Sequence, residues 1–348
     1  MSESNQISGG QVAGWMEKNV DGFSGFQGIE KITAGQSNPT YRVDAESGRY
    51  VLRAKPPGEL LKSAHQVDRE YRVIAALGDT DVPVPKVYAL SPEGEDSPIG
   101  RQFYVMEFKD GRIFWDPVVP DVSSNDDRAA IYDSMNKTLA ALHSVDLEAV
   151  GLSDYGRPGS YFARQFSRWT KQYRASETGT IEDMDRLMDW LEKNEPADDG
   201  QVSLVHGDYR LDNMMFGRDH PNVIALLDWE LSTLGHPLAD LAYQCMGWRL
   251  PHESGFKGLG GIDRAEYGLP SERDYVARYC ERRGIERPAN WRYYIAFSFF
   301  RLASIVQGVY KRTLDGNAAN PERGRQMGTA VPVMAKLAIQ SIEEEDQP

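Results

Sequence analysis

Three polar residues constrain this chain more than any others: Asp208, Asn213 five residues on, and Asp228 fifteen residues after that, all close to short apolar runs. Leu204 and Val205 precede the first, Met214 to Phe216 follow the second, and Val223 to Leu227 lead into the third. Apolar runs of this length, bounded by Gly, Asn, Asp and Pro, read as short buried strands. Such strands hold the polar loop between them on rigid supports. Taken singly, Asp208 and Asn213 read as a polar turn, because both residue types favour turns. The fixed order, with a carboxylate closing the apolar run at Asp228, points to a site instead.

The residue types suit phosphoryl transfer. That reaction passes through a loose transition state whose charge sits on peripheral oxygens, so catalysis is mostly positioning and neutralisation by Mg²⁺. Asp228 offers a carboxylate and Asn213 an amide oxygen, both hard ligands suited to a cation that keeps some of its waters. Asp208 is left to face an acceptor hydroxyl, taking its proton or orienting it.

His206-Gly207-Asp208, Asn213, Asp228-Trp229-Glu230 and the run Gly235 to Ala242 together resemble the aminoglycoside phosphotransferase and choline kinase superfamily. More narrowly, Tyr50 to Gly58, Ser63-Ala64-His65 with Glu70 and Tyr71, Asp228 to Pro237, and Gln307 to Arg312 are similar to the kinase-like domain found beside some acyl-CoA dehydrogenases. The resemblance runs from about Ile29 to Arg312. It implies an α+β, protein-kinase-like fold of two lobes: a small antiparallel β lobe over residues 1–108 for the nucleotide, and a larger, mainly α lobe over 109–348 for catalysis and substrate. It further implies ATP- and Mg²⁺-dependent transfer of the γ-phosphoryl group to a hydroxyl, with a hydroxyacyl-CoA or related compound as leading acceptor. An aminoglycoside kinase and a non-catalytic nucleotide-binding pseudokinase are the alternatives.

The resemblance also assigns roles residue by residue. Gly35, Ser37 and Asn38 lie in a hairpin that would fold over phosphates, although an ordinary Gly/Asn turn looks the same. Arg53 stands where such kinases usually carry Lys, with Glu70 on the next helix as its partner; a surface ion pair is the plainer reading. Lys55, two residues away on the same strand face, competes for the phosphates. Glu107 and Phe108 would meet adenine with main-chain groups. His206 would steady the loop and Asp240 would hold its backbone, unless Asp240 is only a charge at a helix N-terminus. Glu230 is a second metal ligand or a base behind the first. The acceptor would lie between the loop and the helices after Asp240, near Tyr243, Trp248, Arg249 and a glycine-rich segment, 251–270, that reads as a mobile lid. Arg210, Arg249 and Arg301 would suit an anionic acceptor.

Composition adds limits. A chain of 348 residues exceeds the size at which single cores usually divide. The polar N-terminus lacks the pattern of a signal peptide, and no apolar run approaches a membrane span, so a cytoplasmic protein is expected. Net charge of −13 argues against nucleic acid; the small hydroxyl-bearing partner is what the resemblance implies, and oligomeric state is open. Cys245 and Cys280 stand alone, and neither they nor the histidines show zinc spacing. No GxxxxGK[ST] occurs. Strands are expected near residues 29–34, 40–45, 50–54, 87–90 and 102–108. Helices are expected at 11–20, 61–77, 128–145, 161–175, 181–194, 238–246, 272–283, 291–311 and 323–344.

Overall fold

Tyr41, Val43 and Ala45 alternate with less buried neighbours, and in the computed structural model that alternation is a strand with those three side chains buried. The structure describes residues 7–32, 38–58, 65–316 and 320–344. It divides into two compact units: residues 1–112, 148–152 and 213–232 form one, and 113–147, 153–212 and 233–348 the other.

Unit 1 is built on a five-stranded antiparallel sheet. Its strands are β1 (Phe26–Ile32), β2 (Thr40–Ala45), β3 (Gly48–Ala54), β4 (Val87–Leu90) and β5 (Phe103–Glu107), in the order β1-β2-β3-β5-β4. Helix α1 (Gly9–Asn19) lays Val12 and Met16 into a core with Val43, Leu52, Phe103 and Val105. Helix α2 (Val67–Leu77) begins later than the sequence pattern implies; residues 59–64 lie outside those described. A second, two-stranded sheet, β7 (Met214–Phe216) with β8 (Val223–Leu226), belongs to the same unit. Two reciprocal bonds between Arg112 and Phe216, each 2.8 Å, and one from the Leu226 amide to the Pro83 carbonyl at 2.8 Å tie it in.

Unit 2 is mainly helical: α3 (Asn125–His143), α4 (Tyr161–Ser176), α5 (Glu182–Lys193), α6 (Leu238–Cys245), α7 (Glu272–Arg283), α8 (Trp291–Leu314), α9 (Pro321–Gly328) and α10 (Ala330–Glu343). Helix α8 is apolar nearly all round and accordingly buried along most of its length, as a central helix must be. Its Tyr293, Tyr294 and Phe297 surround Phe162 of α4, with ring centroids 5.1–5.8 Å apart. A small pair, β6 (Ser203–Val205) with β9 (Thr233–Gly235), sits in the same unit.

Two expectations are corrected here. The helix expected over 323–344 is two helices, because Gly328 packs so closely on Tyr310 that a Cβ would lie 2.5 Å from its ring, and Pro332 lies in the first turn of the helix that restarts. The segment expected to be a mobile lid is packed: Leu259 and Leu269 are buried, the Leu259 amide bonds Gly247 at 2.8 Å, and the Trp248 indole bonds the Pro270 carbonyl at 2.8 Å. Its glycines serve close approach; at Gly258 a Cβ would meet the Leu250 carbonyl at 2.2 Å. Both cysteines are free and buried, and no described helix is long and apolar enough to cross a membrane.

Candidate active site

In unit 1 the sheet aims Arg53, from the end of β3, at two carboxylates. Its Nε bonds Glu70 of α2 at 2.6 Å and its Nη2 bonds Asp228 at 2.7 Å. Glu70 is 1% exposed, and it accepts two further bonds, from the Tyr104 hydroxyl at 3.1 Å and the Asn38 amide at 2.6 Å. Burial raises the Glu70 pKa against the pull of Arg53. Burial alone would lower that of Arg53, but Glu70, Tyr104 and Asp228 more than offset it, and the guanidinium stays charged. Lys55 turns instead to Glu93, at 2.5 Å.

The β7–β8 hairpin sets Asn213 and Asp228 at one end. Met214 pairs with Leu226, and just beyond them the Leu227 amide bonds the Asn213 carbonyl at 2.9 Å. Asp228 has a left-handed backbone, φ 64°, a conformation that Asp tolerates better than most side chains. Two oxygen-donor side chains at one hairpin end suit Mg²⁺ with its retained waters, and Arg53 occupies only one of the Asp228 oxygens, Oδ1. Glu230 is exposed on the short turn that follows. Among the described residues no group of three or more His, Cys, Asp or Glu could hold a metal ion by itself.

The other nucleotide candidates are placed unevenly. Asn38 is buried against Glu70 and His65, whose Nδ1 lies 2.9 Å from its side-chain oxygen; Gly35 and Ser37 lie outside the described residues. The Glu107 amide is committed to the Lys86 carbonyl at 2.8 Å, and the Phe108 ring lies under the Arg49 guanidinium, 4.5 Å away.

In unit 2 the loop carrying Asp208 is held through its backbone. Asp240, in the first turn of α6, accepts the amides of His206 at 2.6 Å and Gly207 at 2.8 Å. The His206 ring accepts the Asp208 amide at 3.2 Å. Behind Asp240 stands His143, buried, with Nε2 3.3 Å from Asp240 and Nδ1 2.7 Å from the Tyr279 hydroxyl. Burial lowers the His143 pKa, so a neutral ring donates to Asp240 and accepts from Tyr279. Burial pushes Asp240 up, but the His143 bond and the loop amides bring it below the usual carboxylate range. Arg210 Nε lies 3.6 Å from the Asp208 Oδ1, and burial together with the Asp208 charge raises the Tyr243 phenol pKa. Arg210 also pairs with Asp212.

The other two cations expected at an anionic acceptor have protein partners. Arg249 binds Glu272 at 3.0 Å and Glu344 at 2.6 Å. Arg301 is buried on α8 and donates to the Gly207 carbonyl at 2.5 Å. Sequence spacing offered no signal for either pairing.

Comparison with known proteins meets this geometry. The profile of the phosphotransferase enzyme family matches residues 28–278. The chain belongs to that family. Relatives include acyl-CoA dehydrogenase family member 10 of Mus musculus, 47% identical over 331 residues, and family member 11 of Rattus norvegicus, 44% identical over 331 residues. The match covers 93% and 94% of this chain but only 30% and 42% of theirs. A crystal structure of a candidate aminoglycoside phosphotransferase from Ralstonia eutropha is 46% identical, with a TM-score of 0.88 and coverage of 97% of this chain and 99% of that one. A spectinomycin phosphotransferase solved with ADP and spectinomycin shares the fold alone, at 13% identity, a TM-score of 0.63, and coverage of 97% and 99%. The kinase-like fold, with a small antiparallel sheet and a larger helical region, is therefore that of the family.

Proposed function

We propose that the chain is an ATP- and Mg²⁺-dependent phosphotransferase that moves the γ-phosphoryl group to a hydroxyl of a small molecule. The observation that carries this reading is Arg53, held by Glu70 on one side and Asp228 on the other. A guanidinium anchored in this way can bind phosphate in the place where related kinases use Lys. It also weighs against a silent pseudokinase, because Arg53, Glu70 and Asp228, the carboxylate proposed to hold the metal, lie together. Mg²⁺, when bound, neutralises phosphate charge; Asp228 and the Asn213 amide oxygen would hold it. Asp208 takes the acceptor proton as the acceptor oxygen bonds to the γ-phosphorus and the bridging P–O bond breaks, its electron pair leaving on ADP.

The steady-state test is direct. Arg53→Ala raises KM for ATP and lowers kcat together, whereas Lys55→Ala leaves both near wild type, because Lys55 is spent on Glu93. A larger loss with Lys55→Ala would hand the phosphates to Lys55.

For the acceptor, the names of the relatives favour a hydroxyacyl-CoA or a related hydroxy compound. Arg210, 41% exposed and beside Asp208, supplies a cation for it. The Ralstonia likeness supports a second reading, an aminoglycoside kinase. A screen of ATP consumption separates them: turnover is expected with hydroxyacyl-CoAs, with KM rising with ionic strength, and little with kanamycin-like polycations. Efficient antibiotic phosphorylation would reverse the order while leaving the phosphotransferase reading in place.

A further inference from the structure

We infer that Asn38 and His65 are positioning residues for Arg53, acting through Glu70; the inference rests on the phosphotransferase reading and deepens it. Glu70 is 1% exposed, so both of its carboxylate oxygens must be satisfied within the protein. Oε2 accepts Arg53 Nε at 2.6 Å and the Tyr104 hydroxyl at 3.1 Å, while Oε1 accepts the Asn38 amide nitrogen at 2.6 Å. Asn38 thereby fixes how the carboxylate is turned, and with it the direction from which Oε2 meets the guanidinium.

The Asn38 amide can face only one way. Turned over, its oxygen would meet a carboxylate oxygen, so the nitrogen points at Glu70 and the oxygen at His65, whose Nδ1 lies 2.9 Å away. An amide oxygen can only accept, so His65 carries a proton on Nδ1 and donates it. Asn38 is held through its main chain as well: Thr40 Oγ1 donates to the Asn38 carbonyl at 3.1 Å and accepts Arg53 Nη1 at 3.5 Å. The links close into a ring, from Arg53 to Glu70 to Asn38 to Thr40 and back. At 2% exposure and with both ends of its amide engaged, the Asn38 side chain is not the phosphate ligand expected from the sequence. It holds the guanidinium between Glu70 and Asp228 instead. A guanidinium meets phosphate with a rigid planar fork, so losing its orientation costs affinity. His65, two residues ahead of α2, has φ 58°, a left-handed backbone that a bulky side chain adopts at a cost, and the ring it carries reaches Asn38 from there.

The test separates the His65 side chain from its backbone. Glycine and asparagine both accept a left-handed φ, but asparagine alone offers an N–H near the place of Nδ1. Calorimetric titration of the full chain with MgADP should show Kd raised about threefold in His65→Gly and close to wild type in His65→Asn, the scale of one neutral hydrogen bond lost and restored. Asn38→Ala takes a partner from a buried carboxylate and should raise Kd about tenfold. In turnover, KM for MgATP should rise in His65→Gly and Asn38→Ala, while KM for the acceptor found in the screen stays unchanged. With Arg53→Ala weakening MgADP, equal Kd in the two His65 variants overturns the inference alone. So does a Kd unmoved by Asn38→Ala. If Arg53→Ala also leaves Kd unchanged, Arg53 does not bind phosphate, and the phosphotransferase reading loses the observation that carries it.

Discussion

Asp208→Asn should lower kcat by about 10²- to 10⁴-fold, the range of a lost general base, while nucleotide affinity changes little. The amide keeps the shape of the carboxylate, but it cannot take a proton from the acceptor. The backbone anchors of the loop, from Asp240 to the His206 and Gly207 amides, do not involve the Asp208 side chain, so the loop keeps its course. Turnover assays paired with calorimetric titration of MgADP separate the two quantities. Near-wild-type turnover would remove Asp208 from the chemistry.

A second large effect is expected at Asp228. Asp228→Ala should reduce transfer by more than about 10³-fold, because the metal contributes several kcal/mol of charge stabilisation to such a transition state. It should also weaken Mg²⁺-dependent nucleotide binding sharply. Asn213→Ala, which loses a neutral ligand from the same hairpin end, should be milder in binding. Arg53 keeps its Glu70 partner in the Asp228 variant, so the sheet is not left with an unpaired buried cation. Titration of nucleotide with and without Mg²⁺ checks this, and an unchanged metal dependence in both variants would exclude the assignment.

The parts of this architecture visible in the sequence are those with a short period or a fixed spacing. Alternation in Thr40–Ala45 and apolar runs around Phe103 announce the sheet, and Asp208, Asn213 and Asp228 announce themselves by order. What stayed hidden depends on partners far apart in the chain. Arg53 and Asp228 are 175 residues apart, and a strand pattern at Arg53 says nothing of its second carboxylate. Strand β9 has only three residues and borrows its geometry from β6, leaving no periodicity to read. Arg249 and Arg301 looked like free cations because sequence shows charge and not burial; Glu272 and the Gly207 carbonyl claim them only once the helices have packed.

The membership of residues 213–232 in unit 1 has a consequence for how this protein is made. When Arg112 leaves the ribosome, its reciprocal bonding partner Phe216 has not yet been synthesised, and neither has Leu226, which bonds Pro83. At about 5–20 residues per second, the ~120 residues from there to Ser232 take roughly 6 to 24 s. Throughout that interval the nascent sheet must wait with Arg53 facing Glu70 alone. The N-terminal part of the chain therefore cannot finish folding as it emerges, and a fragment ending at Arg112 would lack both the β7–β8 hairpin and the carboxylate that completes its cation.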